Sequence, residues 1–524
     1  MSVIARATVV VGMEVHIELA CRTKVFSRAL SPAGFGHAEG GANECIDALV
    51  LGLPGSLPVL NAEAVRMSIA VGLALNCAIA PQTRWDRKGY FYPDMPKGYQ
   101  ISQYDVPLCA DGFMDVPAPV LGGGDAGPIA VDEGAEPVRV GIIRAHLEED
   151  AGKLLHEAPG GGAIGHSIVD LNRAGTALLE VVTKPDFRSA QSVVLFCQQL
   201  RGICMALGVT RGVMQRGHMR FEPNINCELT LDDGRVVKTP IVEVKNLNSF
   251  KAVRGAIEFE ARQQPARWLA DGREMGVGTK QTRGWDDRRG ATFLQRQKED
   301  AHDYRYFPDP DLLPVLISEE LVQSVRRSLP ELPEQRRQRY REAFGLGPKE
   351  ASALSADLHA GAYLDAVVDH AVAHGVPAQR AGKAGANLIL NTLFRIAQED
   401  VPVSELGITP SALAGVVVLR DKGDISAQSA DDLLVKVREG GGATATGEPV
   451  AQLAKGLGMI RVRDAGAMQE WVEQAIAGNP QAAADVRAGK DPAIGRLVGA
   501  AMKLAGGQAD AAELRSMIQT KLRG

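Results

Sequence analysis

The periodicity of this chain changes once, between about residues 312 and 316, and that change limits what it can fold into. Before it, period-two runs at Val9–Leu19, Ile164–Leu171, Leu178–Thr183 and Pro240–Lys245 alternate with helix-period stretches at Ala62–Leu75, Ser189–Leu207 and Phe250–Gln264. After it, Ala- and Leu-rich helical patterns dominate, broken by Pro330, Pro333, Pro377, Pro410 and a Gly-rich linker from Glu439 to Thr444. Aromatic residues divide the same way. Tyr90, Tyr92, Tyr99 and Tyr104 crowd one segment, whereas beyond Phe344 only Tyr363, Phe394 and Trp471 remain. The pattern predicts an α+β portion over 1–312, an all-α portion over 313–440 and a small helical tail over 446–524. In the tail, Ile494, Leu497, Val498 and Met502 share one helical face that Gly506 and Gly507 stop, and Leu514, Met517, Ile518 and Leu522 form another.

Charge narrows the function. A net charge of −5 argues against a uniformly basic nucleic-acid binder. Residues 450–524 nevertheless hold ten Lys/Arg against seven Asp/Glu, a surplus of three, so the remainder carries −8. The tail can therefore meet a polyanion that the body repels. The apolar run Val9–Val11 is interrupted by Glu14 and His16, too soon for a signal-peptide core or a membrane span, so a cytoplasmic protein without a membrane partner is expected. The seven cysteines form no C-x-x-C pair; scattered buried thiols are expected, with neither zinc nor disulfides.

Three carboxylate-bearing stretches point to a hard cation. In Val11–Leu19, Glu14, His16 and Glu18 alternate with Val15, Ile17 and Leu19, so they share a strand face, either a metal platform or a wet surface. If 144–150 is extended, Arg144, His146, Glu148 and Asp150 face one way and Glu149 the other. A turn near Asp150–Gly152 blurs that alternation and leaves the choice between the two glutamates open. Glu180 sits inside the apolar run Leu178–Val182, where an ionised carboxylate is costly unless a cation meets it. A salt bridge to Arg173 would be the structural solution; Mg²⁺ would be the functional one.

Two further segments suit a nucleotide. Lys245 shares a strand face with Glu243 just before Asn248 and Ser249, either of which can cap a helix whose N–H groups would attract phosphate. The Trp85–Tyr104 stretch alternates rings, basic groups and turns, as a loop that stacks a base or ribose would, or as an ordinary packed Tyr/Pro loop would. There is no P-loop sequence, Gly122–Gly127 lacks the context of a dinucleotide fold, and no G-x-S-x-G elbow occurs.

Several longer runs together resemble the B subunit of the tRNA-dependent Asp/Glu amidotransferases, which make Gln-tRNA or Asn-tRNA from the mischarged acidic form. They are Val11–His16, Leu51–Asn61, Asp86–Asp105, His146–Lys153, Val169–Gly175, Lys245–Ser249 and Asp303–Pro308. The resemblance implies a glutamine-synthetase-like catalytic cradle, then a helical domain and a tRNA-binding tail. It implies Mg²⁺ and ATP held at Glu14, His16, Glu149 and Glu180, which selects Glu149 over Glu148 by resemblance only. It further implies nucleotide contacts from Lys88, Lys97 and Lys245, and tRNA contacts from Lys490, Arg496 and Lys503. The expected reaction phosphorylates the side-chain carboxylate of the mischarged residue and displaces phosphate with ammonia. Glutamine is the expected amido donor, hydrolysed by a separate amidase (glutaminase) subunit, with a small third subunit completing a heterotrimer. Three departures stand out: Asp47 and Val50 replace a cysteine pair of many members, so no zinc is expected; Gln281 replaces a usual Glu, a charge loss that could alter a nearby contact; and Glu222 replaces a usual Asp, which puts a metal role there in doubt. The rival readings are a non-catalytic tRNA-binding scaffold and a metal/ATP ligase acting on a free amino acid.

Overall fold

The computed structural model describes residues 3–523 except 35–40, 121–128, 133, 159–160, 298–303, 398–400, 440–446, 462–463 and 507. Gly122–Gly127, Asp303, Gly440–Thr444 and Gly507 therefore lie outside the described residues. The chain forms two compact units, Met1–Pro333 and Glu334–Gly524.

The first unit is organised by the 15-residue strand β1 (Ile4–Glu18). Its alternation is the reason for its place: Val11, Met13, Val15 and Ile17 are all buried to within 1 % of full exclusion, so that face must be covered. Further strands are β2 (Ala78–Ile79), β3 (Asp86–Gly89), β4 (Tyr99–Ser102), β5 (Cys109–Val116), β6 (Val138–Glu149), β7 (Ala177–Thr183), β8 (Met219–Leu231), β9 (Val242–Lys245), β10 (Gln281–Asp286) and β11 (Ala291–Gln297). The main sheet runs β11-β10-β9-β8-β1-β7-β6-β5-β2, with Val236–Lys238 paired to β8. Strands β9 and β10 pair in parallel, whereas β1 is antiparallel to both of its neighbours. Three helices supply the core beneath: α1 (Ala62–Ala74), α2 (Ala190–Ala206) and α3 (Phe250–Asp271), capped by the side chains of Asn61, Ser189 and Ser249. Val65, Ile69, Leu200, Val253 and Ile257 join β1 in that core. With one sheet face closed by helices, the polar residues of β1, β6, β7 and β8 are left on the other.

Helix α3 runs past the expected end at Gln264 to Asp271, with Pro265 inside it. Proline removes the N–H that would reach the carbonyl of Ala261. The Cys227 thiol donates weakly to that oxygen, at 3.9 Å, and the helix runs on to its cap at Gly272. On the same stretch the fully buried Glu260 accepts from Arg267 at 2.8 and 3.1 Å and lies 3.4 Å from Arg283. Glu260→Ala leaves two guanidinium groups without their counter-charge. We expect it to destabilise the unit by about 3 kcal/mol, read as a fall in the denaturant midpoint at unchanged m-value.

The first unit reaches Pro333 rather than 312 because a helix at Glu319–Ser328 buries Val322 and Val325 in its core. The second unit is helical and has two cores, one built from Tyr340 to Ala454 and one from Met468 to Leu522. Helices at Ile494–Leu504 and Ala511–Arg523 form where the tail's apolar faces placed them. All seven cysteines are buried. Among the described residues, no helix is long and apolar enough to cross a membrane.

Candidate functional site

Cross-strand register assembles the site. Glu180 on β7 lies opposite His16 on β1 and, on its other side, opposite His146 on β6. His16 in turn faces Arg220 on β8, and Glu14 faces Glu222. Four strands distant in sequence thus line up alternating imidazoles and carboxylates on one sheet face. His16 Nε2 lies 3.5 Å from Glu180 and 3.6 Å from Glu14. His146 Nε2 lies 3.5 Å from Glu180 and 3.7 Å from Glu148. Ser102 Oγ donates to Glu148 at 2.9 Å.

The charges in this row are strongly coupled. Burial drives the Glu180 carboxyl upward, but the neighbouring His146 and His16 overcome it and hold it well below the usual carboxylate range. Burial also works against the His16 imidazolium, yet the hydrogen bond and charge of Glu180 raise it to about 9. Glu14, desolvated and facing Glu180, is pushed up to about 7. Glu18 rises to about 8 through burial and the charge of Asp150. Glu148 is lowered despite burial, chiefly by its hydrogen bond to His146. Its neighbour Lys88 stays charged against burial because Glu148 faces it, with Tyr306 and Glu180 adding to the effect.

Two residues lie apart from the neighbours expected for them. Glu149 does not join His16 and Glu180: it points to the opposite side of the pleat. There its oxygens meet Lys97 Nζ at 2.5 and 2.6 Å and accept from the Ile101 N–H at 2.8 Å. The carboxylate beside the imidazoles is Glu148, as strict alternation along β6 dictates. Arg173 does not neutralise Glu180 either. It donates to the carbonyl oxygens of Ala151 and Gly152 and lies 3.6 Å from Asp150, which Arg220 approaches at 2.6 Å. Of the other sequence candidates, Lys88 borders the row. Lys245 lies at its far end, 2.6 Å from Glu222 and 3.4 Å from Glu243. Lys490 pairs with Asp485 at 3.0 Å in the tail, where Arg496 and Lys503 are exposed.

The donor chemistry suits a divalent cation. His16, Glu148 and Glu180 each offer one atom within 4.8 Å of the others, and so do Glu14, His16 and Glu222. All are oxygen or imidazole nitrogen, the set that takes Mg²⁺, Mn²⁺ or Zn²⁺ rather than a soft metal. Among the described residues, the buried Nδ1 atoms of His16 and His146 have no hydrogen-bond partner. Sequence reasoning passed over His146 and Arg220 as site residues and doubted Glu222; only strand pairing reveals them. Beside the row opens a cleft of about 660 Å³ lined by Lys153, Arg173, Arg211, Arg216, Arg220 and Lys245 and by the Asn246–Asn248 turn before α3.

Comparison with known proteins gives the family. Residues 9–323 match the GatB/GatE catalytic domain and residues 368–522 the GatB domain. Proteins from Halorhodospira halophila and Anaeromyxobacter dehalogenans are each 40 % identical over 517 residues, covering 98 % of this chain and 99 % and 98 % of their own. One from Rhodopirellula baltica is 38 % identical over 497 residues, covering 95 % of this chain and 93 % of its own. All three are named as the B subunit of an aspartyl/glutamyl-tRNA(Asn/Gln) amidotransferase. This chain belongs to that GatB/GatE family.

Proposed function

We propose that this chain is the amidating component of a tRNA-dependent amidotransferase, converting Glu-tRNA(Gln), Asp-tRNA(Asn) or both to the amide with ATP. Ammonia comes from a partner amidase (glutaminase) subunit, and a small third subunit completes a cytoplasmic heterotrimer. The first unit then serves as a glutamine-synthetase-like cradle, and Lys490, Arg496 and Lys503 of the tail contact tRNA. The observation that carries this reading is the convergence of His16, Glu148 and Glu180 on one sheet face, in a chain whose relatives carry that name.

The chemistry requires such a site. A carboxylate anion repels a nucleophile and has no leaving group. Transfer of the terminal phosphoryl group of ATP to a carboxylate oxygen, with release of ADP, turns that oxygen into one. Ammonia then forms the C–N bond, phosphate departs with the C–O bond electrons, and a proton leaves the nitrogen. His16, Glu148 and Glu180 would hold Mg²⁺, with Glu14 and Glu222 beside them. Bound there, Mg²⁺ supplies charge neutralisation at the phosphate oxygens. Lys88, Arg220 and Lys245 add positive charge along the row, Arg220 while paired with Asp150 and Lys245 with Glu222, while Lys97 lies with Glu149 on the other side of the pleat.

A cation must displace protons to bind. Below about pH 7 Glu14 is protonated, and below about 9 His16 is an imidazolium, so both oppose cation entry at low pH. Mg²⁺ affinity is expected to rise from pH 6 to pH 9, with net proton release. Titration calorimetry in two buffers of different ionisation enthalpy measures that release; affinity that does not change with pH contradicts the assigned donors.

The reading itself is tested with the co-purified subunits, ATP, Mg²⁺ and ammonium, offering Glu-tRNA, Asp-tRNA or free glutamate. Amide formation only on tRNA supports it. Amidation of free glutamate would favour the ligase alternative. No amidation despite tRNA binding would favour the scaffold.

A further inference from the structure

Strands β3 and β4 and a short strand at Phe307–Pro308 form a separate three-stranded sheet. Beside it opens a pocket of about 600 Å³ whose lining is largely aromatic. Phe91, Tyr92 and Phe307 line it while remaining 82 %, 56 % and 50 % exposed. Three large rings held open around one concavity leave apolar surface that a planar ligand would cover. Tyr304 lines the same pocket, and Lys88, which borders the Glu148–Glu180 row, lies 4.9 Å from its ring centroid. The pocket therefore adjoins the candidate catalytic row through Lys88.

Charge separates this pocket from the cleft at the other side of the row. The cleft is lined by six Lys/Arg against Glu18, Asp170 and Glu222; Arg220 is paired with Asp150 and Lys245 with Glu222, and the cationic surplus that is left suits a polyphosphate. In the aromatic pocket Arg87 is committed to Asp309 at 2.8 Å and Asp311 at 2.7 Å, and Lys97 to Glu149. What the pocket offers is ring surface, with the exposed Arg305 also in its lining. An unpaired RNA end carries about one charge per nucleotide and binds by stacking its bases on rings. The acyl group to be amidated is esterified to the last ribose, so the terminal nucleoside must lie within an amino acid's length of the reacting carboxylate.

We propose that this pocket receives the 3′-terminal nucleoside of the aminoacylated RNA, its base stacked against Phe91, Tyr92 or Phe307, with the acyl group extending past Lys88. The proposal rests on the amidotransferase reading. Phe91→Ala and Tyr92→Ala, each in the co-purified complex, are expected to raise KM for aminoacyl-tRNA by about tenfold. KM for ATP and kcat should stay within about twofold. Phe91→Tyr and Tyr92→Phe should restore the wild-type KM. A rise in the KM for ATP instead would give the rings to ATP, and failure of the complex to co-purify would give them to a partner protein; either result overturns the proposal, as does no change at all. Filter binding of the aminoacyl-tRNA to the wild-type and Tyr92→Ala complexes requires no turnover, and equal affinity there overturns the stacking role even if the wild-type complex forms no amide. Absence of amide formation by the wild type, by contrast, counts against the amidotransferase reading.

Discussion

Glu180→Ala is expected to lower kcat for amide formation by the assembled enzyme about 10³-fold or more. Glu180 is the carboxylate shared by both imidazoles of the row, 3.5 Å from each. Its loss removes the central donor and also the charge that raises His16, so the row loses order as well as charge. Glu180→Gln keeps the shape and removes the charge; it should be as inactive, which separates electrostatics from packing. Because Glu180 faces a polar row and not the core, the melting temperature should move only a few degrees, about 1 kcal/mol for a unit of this size. Retained activity in either variant would remove the phosphoryl-activation reading and leave the scaffold.

Glu148→Gln and Glu149→Gln should behave as opposites although the residues are adjacent. Glu148→Gln is expected to weaken divalent-cation affinity by about 10- to 100-fold, the range seen when a ligand or its support is removed. Glu149→Gln should leave that affinity nearly unchanged. It instead strips the counter-charge from Lys97, whose side chain is only 7 % exposed, and should cost about 3 kcal/mol of stability. Mn²⁺ titration followed by electron paramagnetic resonance, beside thermal unfolding, reads both effects. The reverse pattern would return the ligand role to Glu149.

What could be read from the sequence follows the range of the physical signal. Local periodicity was enough to place β1, β7, α1 and α2, and to put Glu14, His16 and Glu18 on one face. The cost of a carboxylate in an apolar strand was enough to single out Glu180. Strand order was not legible, because β1, β6, β7 and β8 become neighbours only through pairings separated by tens to hundreds of residues. Arg220 and Glu222 enter the row through those pairings, and His146, already on the face of Glu148, meets Glu180 only through them. The end of α3 was missed for a similar reason: the thiol that donates to the carbonyl freed by Pro265 comes from β8, far back in the chain. At Glu148 and Glu149 the alternation left the choice open and the resemblance pointed to Glu149, whereas the structure sets Glu148 beside the imidazoles.

The pairing of β6 with β7 shifts between Val182 opposite Arg144 and Thr183 opposite Ile142, so Ile143 is an extra residue on β6. Everything from Arg144 to Glu149 takes its side from the regular pairing that begins at Val182 opposite Arg144. The identity of the donor is thus stored as parity, an odd or even count along the strand, and not in the chemistry of the residue, since both candidates are glutamate. Deleting Ile143 would only restore a regular ladder, whereas deleting Ala145 with Arg144 kept opposite Val182 would send Leu147 and Glu149 to the imidazole face and His146 and Glu148 to the other, with the composition of the segment almost unchanged. Substitutions in this strand can be graded and tolerated, whereas a single-codon deletion acts as a frameshift of the pleat.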